Sequence, residues 1–348
     1  MRKLFILYLI LIINIIGCGE NTLITEGGKP KIDKVIPTDI SVGDTIEIYG
    51  TNFGDPSIYS YIFLGDTTKI PSSKCLNWTI SKIKIIVPKV NFEKIFVVVD
   101  KDTSNIFPIK INILPKIDTL EINGGNFTMG SQDGSKDEQP EHEISIIGTL
   151  IVSKFEITQR VFSQVMGYNP SIIKDNRLPV DSIEWSVAVD FCNKLSELYG
   201  LTPVYKFTGN NASWDTTANG WRLPTEAEWE FLCKAGSNSD YSGSNVVDHL
   251  GWYNMNSGLQ SHPVGTKQSN AFGLYDMHGN VWEWCWDWYS NEYYSNSPKS
   301  NPIGPATGNR RVARGGSYNE GNSYARSSNR LYQKKFLPQT GFRIVRNK

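Results

Sequence analysis

The chain has 348 residues, 39% of them hydrophobic, with 35 basic and 35 acidic side chains and a formal net charge of zero. That length supports two domains, each with a core of its own. The balanced charge lacks the basic excess with which nucleic-acid binders neutralise phosphate, so DNA and RNA are not expected partners.

The first residues, Met1-Arg-Lys3, are charged, and the run from Leu4 to Ile16 is apolar except for Tyr8 and Asn14. It falls short of the ~20 residues that span a bilayer. Charge followed by a short apolar core is the pattern of a secretory signal peptide. Its end, Ile15-Ile-Gly-Cys18, resembles a bacterial lipobox. The resemblance implies a signal peptide over 1–17 and a diacylated Cys18 at the mature N-terminus. Acyl chains alone would then hold the protein on a membrane, each buried methylene contributing about 0.8 kcal/mol. An uncleaved anchor, the other reading of this run, also leaves the chain outside the cytoplasm. No Asp follows Cys18, so the outer membrane or cell surface of a bacterial envelope is the expected location.

Residues 18–30 are polar and contain glycine, as a linker would. From Lys31 the pattern is that of β-structure. Thr45 to Tyr49 alternates, Lys82 to Val87 and Ile95 to Val99 are β-branched runs, and Phe107 to Ile113 alternates again. Separated by Gly, Pro, Asn and Asp, these predict a small β-sandwich. Ile36-Pro37, Gly43-Asp-Thr-Ile46, Tyr49-Gly-Thr-Asn-Phe-Gly54, Trp78 and Val87-Pro88 resemble the IPT/TIG family of immunoglobulin-like domains. That resemblance implies a spacer or interaction module over 31–115.

The remainder, 116–348, is predicted to hold three helices. One runs from Thr158 to Met166. A second starts near Ser186 and ends at Gly200, with Ala188, Phe191, Cys192, Leu195 and Leu198 at helical spacing. The third opens on the capping box Thr225-Glu-Ala-Glu228, presents Trp229, Leu232 and Cys233 on one apolar face and stops at Gly236. Tyr289 to Gly308 reads as a long exposed excursion. In an oxidising compartment Cys75, Cys192, Cys233 and Cys285 allow three complete disulfide pairings, and none has zinc-site spacing. Cys192 and Cys233 are expected to point inward as small hydrophobes.

Five segments in order carry a further resemblance. They are Asn123-Gly-Gly-Asn-Phe-Thr-Met-Gly-Ser131, Phe155-Glu-Ile-Thr-Gln159, Leu178-Pro-Val180 with Trp185, Trp221 to Glu230, and Gly273-Leu-Tyr-Asp-Met-His-Gly-Asn-Val-Trp-Glu-Trp284 with Arg314-Gly-Gly-Ser-Tyr318 and Gly341-Phe-Arg343. Together they resemble the formylglycine-generating enzymes, or sulfatase-modifying factors. The fold implied is α+β and C-type-lectin-like, preceded here by the all-β immunoglobulin-like sandwich.

In active members of that family two cysteines after the Gly-Gly-Ser turn bind copper, which activates oxygen for oxidation of a substrate cysteine. The matching positions here are Glu320 and Ala325, and no sulfur occurs after Trp286. Cuprous ions select soft thiolates, and Cys233 or Cys285 alone cannot make the pair. Copper and formylglycine-generating oxidase activity are therefore not expected, and no catalytic residue is assigned. The related sulfoxide synthases add a helical domain with a histidine triad. The histidines here, His142, His249, His262 and His278, are scattered singly and read as surface or loop residues.

The resemblance also implies a structural calcium ion held by the carboxylates of Asp276 and Glu283 and the carbonyls of Gly279 and Val281. Asp276 departs from the asparagine of some members. The alternative is that Glu283 pairs with an arginine and Asp276 makes a turn. A ligand-binding stretch is implied by likeness to C-type-lectin-like surface proteins: Ser317, Tyr318, Asn319, Glu320, Asn322, Tyr324, Arg326, Asn329 and Arg330. Its mixture of Tyr, Asn, Ser and Arg suits a recognition surface, although the two arginines also suit internal ion pairs.

The expected protein is a lipid-anchored envelope component that binds a protein or glycan or joins an envelope assembly, as related lipoproteins of the gliding and type IX secretion machinery do. A metal-dependent oxidase using a different site is the alternative. Replacing Cys18 with Ser should abolish radioactive palmitate labelling of the chain in its host, and persistent labelling would refute the lipobox reading.

Overall fold

The structure, a computed structural model, describes residues 28–348 apart from 39, 89, 113, 209–210 and 334–336. The expected signal peptide, Cys18 and most of the expected linker lie outside the described residues. Among those described, no helix is long and apolar enough to cross a membrane. The chain forms two compact units. One comprises Glu47–Ile85 and Glu93–Ile109 with the chain up to Ile36, and the other Lys110–Lys348 with Pro37–Ile46 and Ile86–Phe92.

The first unit contains two antiparallel sheets. One runs in the order Lys31–Ile36, Thr45–Thr51, Lys82–Ile86, Asn77–Trp78. The other runs Phe107–Pro108, Lys94–Val99, Tyr61–Leu64, Thr68–Pro71. Successive strand residues point to opposite faces, so Ile48, Ile62, Leu64, Ile83, Ile85, Ile95 and Val97 are buried as alternating sets. The Trp78 indole reaches the Phe53 carbonyl at 3.1 Å, satisfying its N–H inside this core. The expected strand Phe107 to Ile113 is instead broken into Phe107–Pro108 and Ile111–Asn112. The Phe107–Pro108 ladder ends with the Ile109 N–H on the Glu93 carbonyl, and Ile111–Asn112 then pairs with Ile40–Ser41 instead.

In the second unit the strands Thr119–Asn123, Thr149–Ser153 and Val345–Asn347 make one antiparallel sheet. Another has the order Leu331–Gln333, Arg311–Arg314, Trp282–Trp288, Thr340–Gly341. Helices α1 (Gln159–Met166), α2 (Trp185–Leu198) and α3 (Glu226–Lys234) fall close to the predicted spans. Thr158 caps α1 by accepting from the Val161 N–H, and Gly167 ends it in the left-handed region. Both arms of the Thr225–Glu228 capping box are formed. The left-handed residue that ends α3 is Ala235 rather than Gly236, which follows with its own positive φ. The excursion from Tyr289 to Gly308 is exposed over most of its length but pinned by the buried Tyr294 and by backbone hydrogen bonds that join Lys299 and Asn301 to Ser145.

None of the four described cysteines is bonded to another. Cys192 lies in the hydrophobic cluster around α2. Cys233 and Cys285 share the other large cluster, their sulfurs turned to the carbonyls of Met277 and Glu283 respectively.

α3 is not the half-apolar helix its sequence suggests, because all nine of its residues are buried. Its glutamates survive there only through partners. Glu228 takes a bidentate pair from Arg222 at 2.6 and 2.7 Å. Glu226 takes another from Arg330 at 2.7 and 2.9 Å. Glu230 meets Arg314, Lys234 at 2.8 Å and the Gly130 N–H at 2.8 Å.

Burial opposes ionisation of Glu230, but Lys234 and Arg314 overcome it and hold the carboxyl down at about 2. A carboxyl held below its ordinary value of 4.5 stabilises the fold above that pH and loses the contribution as pH falls toward 2. Glu230→Gln should therefore cost about 3–5 kcal/mol at neutral pH, because it strands buried cations. It should also flatten the stability curve between those two pH values. Denaturant unfolding at a series of pH values measures both effects.

Candidate functional site

Strand Trp282–Trp288 pairs with Arg311–Arg314 so that Glu283 lies opposite Arg314, and the chain then turns through Gly315 and Gly316 at φ of 98° and 79°. A Cβ on Gly316 would come within 2.9 Å of the Ala325 nitrogen, so only glycine allows the turn to close on the following loop. That loop carries Ser317, Tyr318, Asn319 and Glu320, then a short 3-10 turn over Asn322–Ala325.

Side chains fix the loop. The buried Ser317 hydroxyl shares its one proton between Asn319 Oδ1 at 2.8 Å and Glu320 Oε2 at 3.0 Å. Trp282 Nε1 donates to the same Glu320 oxygen at 2.5 Å. Burial raises the Glu320 carboxyl, and the two donors partly offset it. A second arm of chain braces the loop. Asn254 N–H donates to the Glu320 carbonyl at 3.0 Å, and Ser257 Oγ to the Tyr318 carbonyl at 2.5 Å. Tyr324 is exposed and meets Trp282 edge to face at 6.4 Å.

Ala325 is buried against Tyr241, Val247, Leu250 and Tyr253. Its carbonyl is held by His278 Nδ1 at 2.7 Å. The Ser242 N–H points at Nε2, so Nε2 accepts and Nδ1 carries the proton. Burial lowers this imidazole to about 4 and keeps it neutral. His278 is thus a buried structural residue, not the surface or loop histidine expected from sequence.

The structure separates the expected ligand-binding stretch into two sets. Tyr318, Asn319, Glu320, Asn322 and Tyr324 reach the surface. Arg330 is instead a core residue, clamped on Glu226 and lying over the Tyr294 ring at 4.3 Å. Arg326 forms a two-point pair with Glu138 at 2.7 and 3.0 Å. Ser317 and Asn329 are buried. The two arginines therefore hold the loop in place and do not present their charge outward.

Copper does not suit this site. Glu320 offers a hard oxygen and Ala325 no ligand atom, while Cys233 and Cys285 are fully buried. Burial also pushes the Cys233 thiol up to about 12 and the Cys285 thiol well above its usual range.

The expected calcium ligands lie beneath the loop. Asp276 adopts φ of 56°, its Oδ2 accepting from the Gly265 N–H at 2.7 Å while the buried Oδ1 has no partner. Glu283 pairs with Arg343 through both oxygens at 2.6 Å, and its Oε2 also accepts from Trp229 Nε1 at 2.7 Å. Sequence reasoning missed Glu156, whose carboxyl accepts from Asn280 Nδ2 at 2.7 Å and the Val281 N–H at 3.1 Å. Burial, then the charges of Asp276 and Glu283, push Glu156 well up, and burial pushes Asp276 up to about 6.

Three buried carboxylates thus face one guanidinium, with one carboxylate oxygen orphaned. These residues fit a hard cation, since Asp276 Oδ1 and the remaining lone pair of Glu283 Oε1 are free for it. Among the described residues no three His, Cys, Asp or Glu side chains group as metal ligands. An ion here would therefore draw on backbone carbonyls as well.

Comparison with known proteins places this geometry. The family model described as the sulfatase-modifying factor enzyme 1-like domain matches residues 112–348. Chaperone protein LppX of Paenibacillus barcinonensis is 32% identical over 271 residues, which is 66% of this chain and 90% of that protein. The formylglycine-generating enzyme of Streptomyces coelicolor is 38% identical over 149 residues, covering 36% of this chain and 48% of the enzyme. Among solved structures, Treponema denticola variable protein 1 is similar with a TM-score of 0.62 at 32% identity, covering 66% of this chain and 95% of that one.

Proposed function

The chain belongs to the sulfatase-modifying factor enzyme 1-like family, and from that premise we propose that it is a non-catalytic polypeptide-binding protein of the bacterial envelope, anchored through a lipid on Cys18. The observation that carries this reading is the loop at Glu320 and Ala325. Where active relatives are expected to place two thiols, this chain has a pinned carboxylate and a buried methyl group. The scaffold persists without the donor atoms of the oxidase, and function belongs to the site rather than the fold.

The surface beside that loop suits polypeptide. Tyr324 on this loop and Met255 and Leu259 on the arm that braces it are exposed by 46%, 80% and 64%. Methionine adapts to varied side chains, as a binder of many sequences requires. The Paenibacillus relative is named a chaperone, which supports polypeptide over glycan as the ligand class. In an aggregation assay the full chain, in stoichiometric amount, should suppress light scattering by reduced insulin. Unchanged scattering would refute the reading.

We also propose that calcium stiffens the floor of this site, held by Asp276, Glu283 and the carbonyls of Gly279 and Val281. When bound, the ion would supply positive charge to a buried carboxylate cluster that Arg343 only partly neutralises. A ligand bound only by the native state raises stability by mass action. Chelator should therefore lower the melting temperature and added calcium restore it, whereas an identical melt in chelator and in calcium would remove the ion from the account.

A further inference from the structure

Resting on the polypeptide-binding reading, we propose that Glu320 is the anchoring acceptor for a lysine or arginine side chain of the bound segment, with Met255, Leu259 and Tyr324 receiving the apolar residues beside it.

The carboxylate is asymmetric in its bonding. Oε2 accepts from both Trp282 Nε1 and Ser317 Oγ. Oε1 accepts from no described residue, and it is not one of the sealed, unpartnered atoms. One oxygen is thus fixed to the scaffold while the other remains available. The backbone of the same residue is held at both ends, its N–H to the Ser317 carbonyl at 3.3 Å and its carbonyl to the Asn254 N–H at 3.0 Å. A carboxylate already immobilised in this way loses little freedom on binding, so more of a charge-assisted hydrogen bond appears as affinity.

An ionised carboxylate accepts hydrogen bonds and donates none, which makes ammonium and guanidinium its best-matched polypeptide partners. The surroundings suit the rest of such a side chain. The exposed Tyr324 meets Trp282, the indole that also donates to Glu320, and an aromatic ring is a further partner for a cation. Met255 and Leu259, both exposed, belong to the arm whose Asn254 and Ser257 brace the Glu320 loop. Long basic side chains lay their methylene stems along apolar surface and keep the charged head on a polar partner. The unpaired Oε1 of Glu320 supplies the polar partner, and Met255, Leu259 and Tyr324 supply exposed apolar surface.

The test uses the full chain and short fluorescein-labelled peptides with a leucine–lysine–leucine core in a serine–glycine background, paired with the same peptides carrying acetyl-lysine. Acetylation removes the charge and keeps the stem. Fluorescence anisotropy should show the lysine peptides binding roughly tenfold more tightly, as expected of one hydrogen bond to a charged group. The difference should shrink as ionic strength rises. Glu320→Gln, which keeps an acceptor for Trp282 and Ser317, should bind both peptides with the weaker affinity while its melting curve stays close to that of the parent. Equal affinity of the unaltered chain for the two peptides would overturn the proposal without any appeal to the variant. So would displacement of the lysine peptide by soluble glycan fragments. If neither peptide binds, the proposal fails as well, and suppression of insulin aggregation decides separately whether the broader reading stands.

Discussion

A helix buried on every side and carrying three glutamates can exist only if each carboxylate meets a cation inside the protein, because an unpaired charge in such a place costs several kcal/mol. α3 imposes that condition on the second unit. Arg222, Arg314 and Arg330 arrive from three separate stretches of chain to meet it. Their convergence fixes where those stretches lie. Arg314 is the last residue of a central strand and opens the Gly-Gly turn, so its bond to Glu230 sets the position from which the functional loop departs. Arg330, bound to Glu226, fixes the position to which the chain returns.

Between those anchors the loop is built from hydrogen bonds and not from repetitive structure. His278 holds the Ala325 carbonyl, Asn254 and Ser257 brace the backbone of residues 318–320, and Trp282 with Ser317 orients Glu320. The scaffold therefore holds the Glu320 side chain in one orientation on this loop. This is why membership of an enzyme family and a reading as a binder do not conflict: the fold supplies position, and the residues at Glu320 and Ala325 decide what chemistry that position can perform.

Much of the architecture was legible because its signals are local. Thr158 and Thr225 announce helix starts through hydrogen bonds to residues three positions on, and the alternation of Thr45 to Tyr49 reports a two-faced strand. Where a global demand overrode the local one, sequence reasoning erred. The alternation that begins at Phe107 looked continuous, yet by Ile111 the chain has exchanged one strand partner for another. Arg326 and Arg330 suited a recognition surface and internal ion pairs equally, and Glu138 and Glu226, distant in sequence, draw them inward. His278 sits in a turn motif yet is buried, because the cluster around Ala325 closes over it. Glu156 gave no signal beyond its place in the Phe155-Glu-Ile-Thr-Gln159 segment, since its role depends on Asp276 and Glu283 lying close by.

The sequence by itself determined the family, the α+β and all-β organisation, the approximate helix spans and the absence of sulfur after Trp286, because each rests on residue identity or on short-range spacing. Tertiary structure alone decided which charges are internal and which are displayed. Arg330 and Glu320 are ten positions apart and equally polar on paper. One is buried against Glu226, and the other is held at the surface by Trp282 and Ser317. The free energy of a charge depends on the partners and solvent around it, and those are fixed only when distant segments pack.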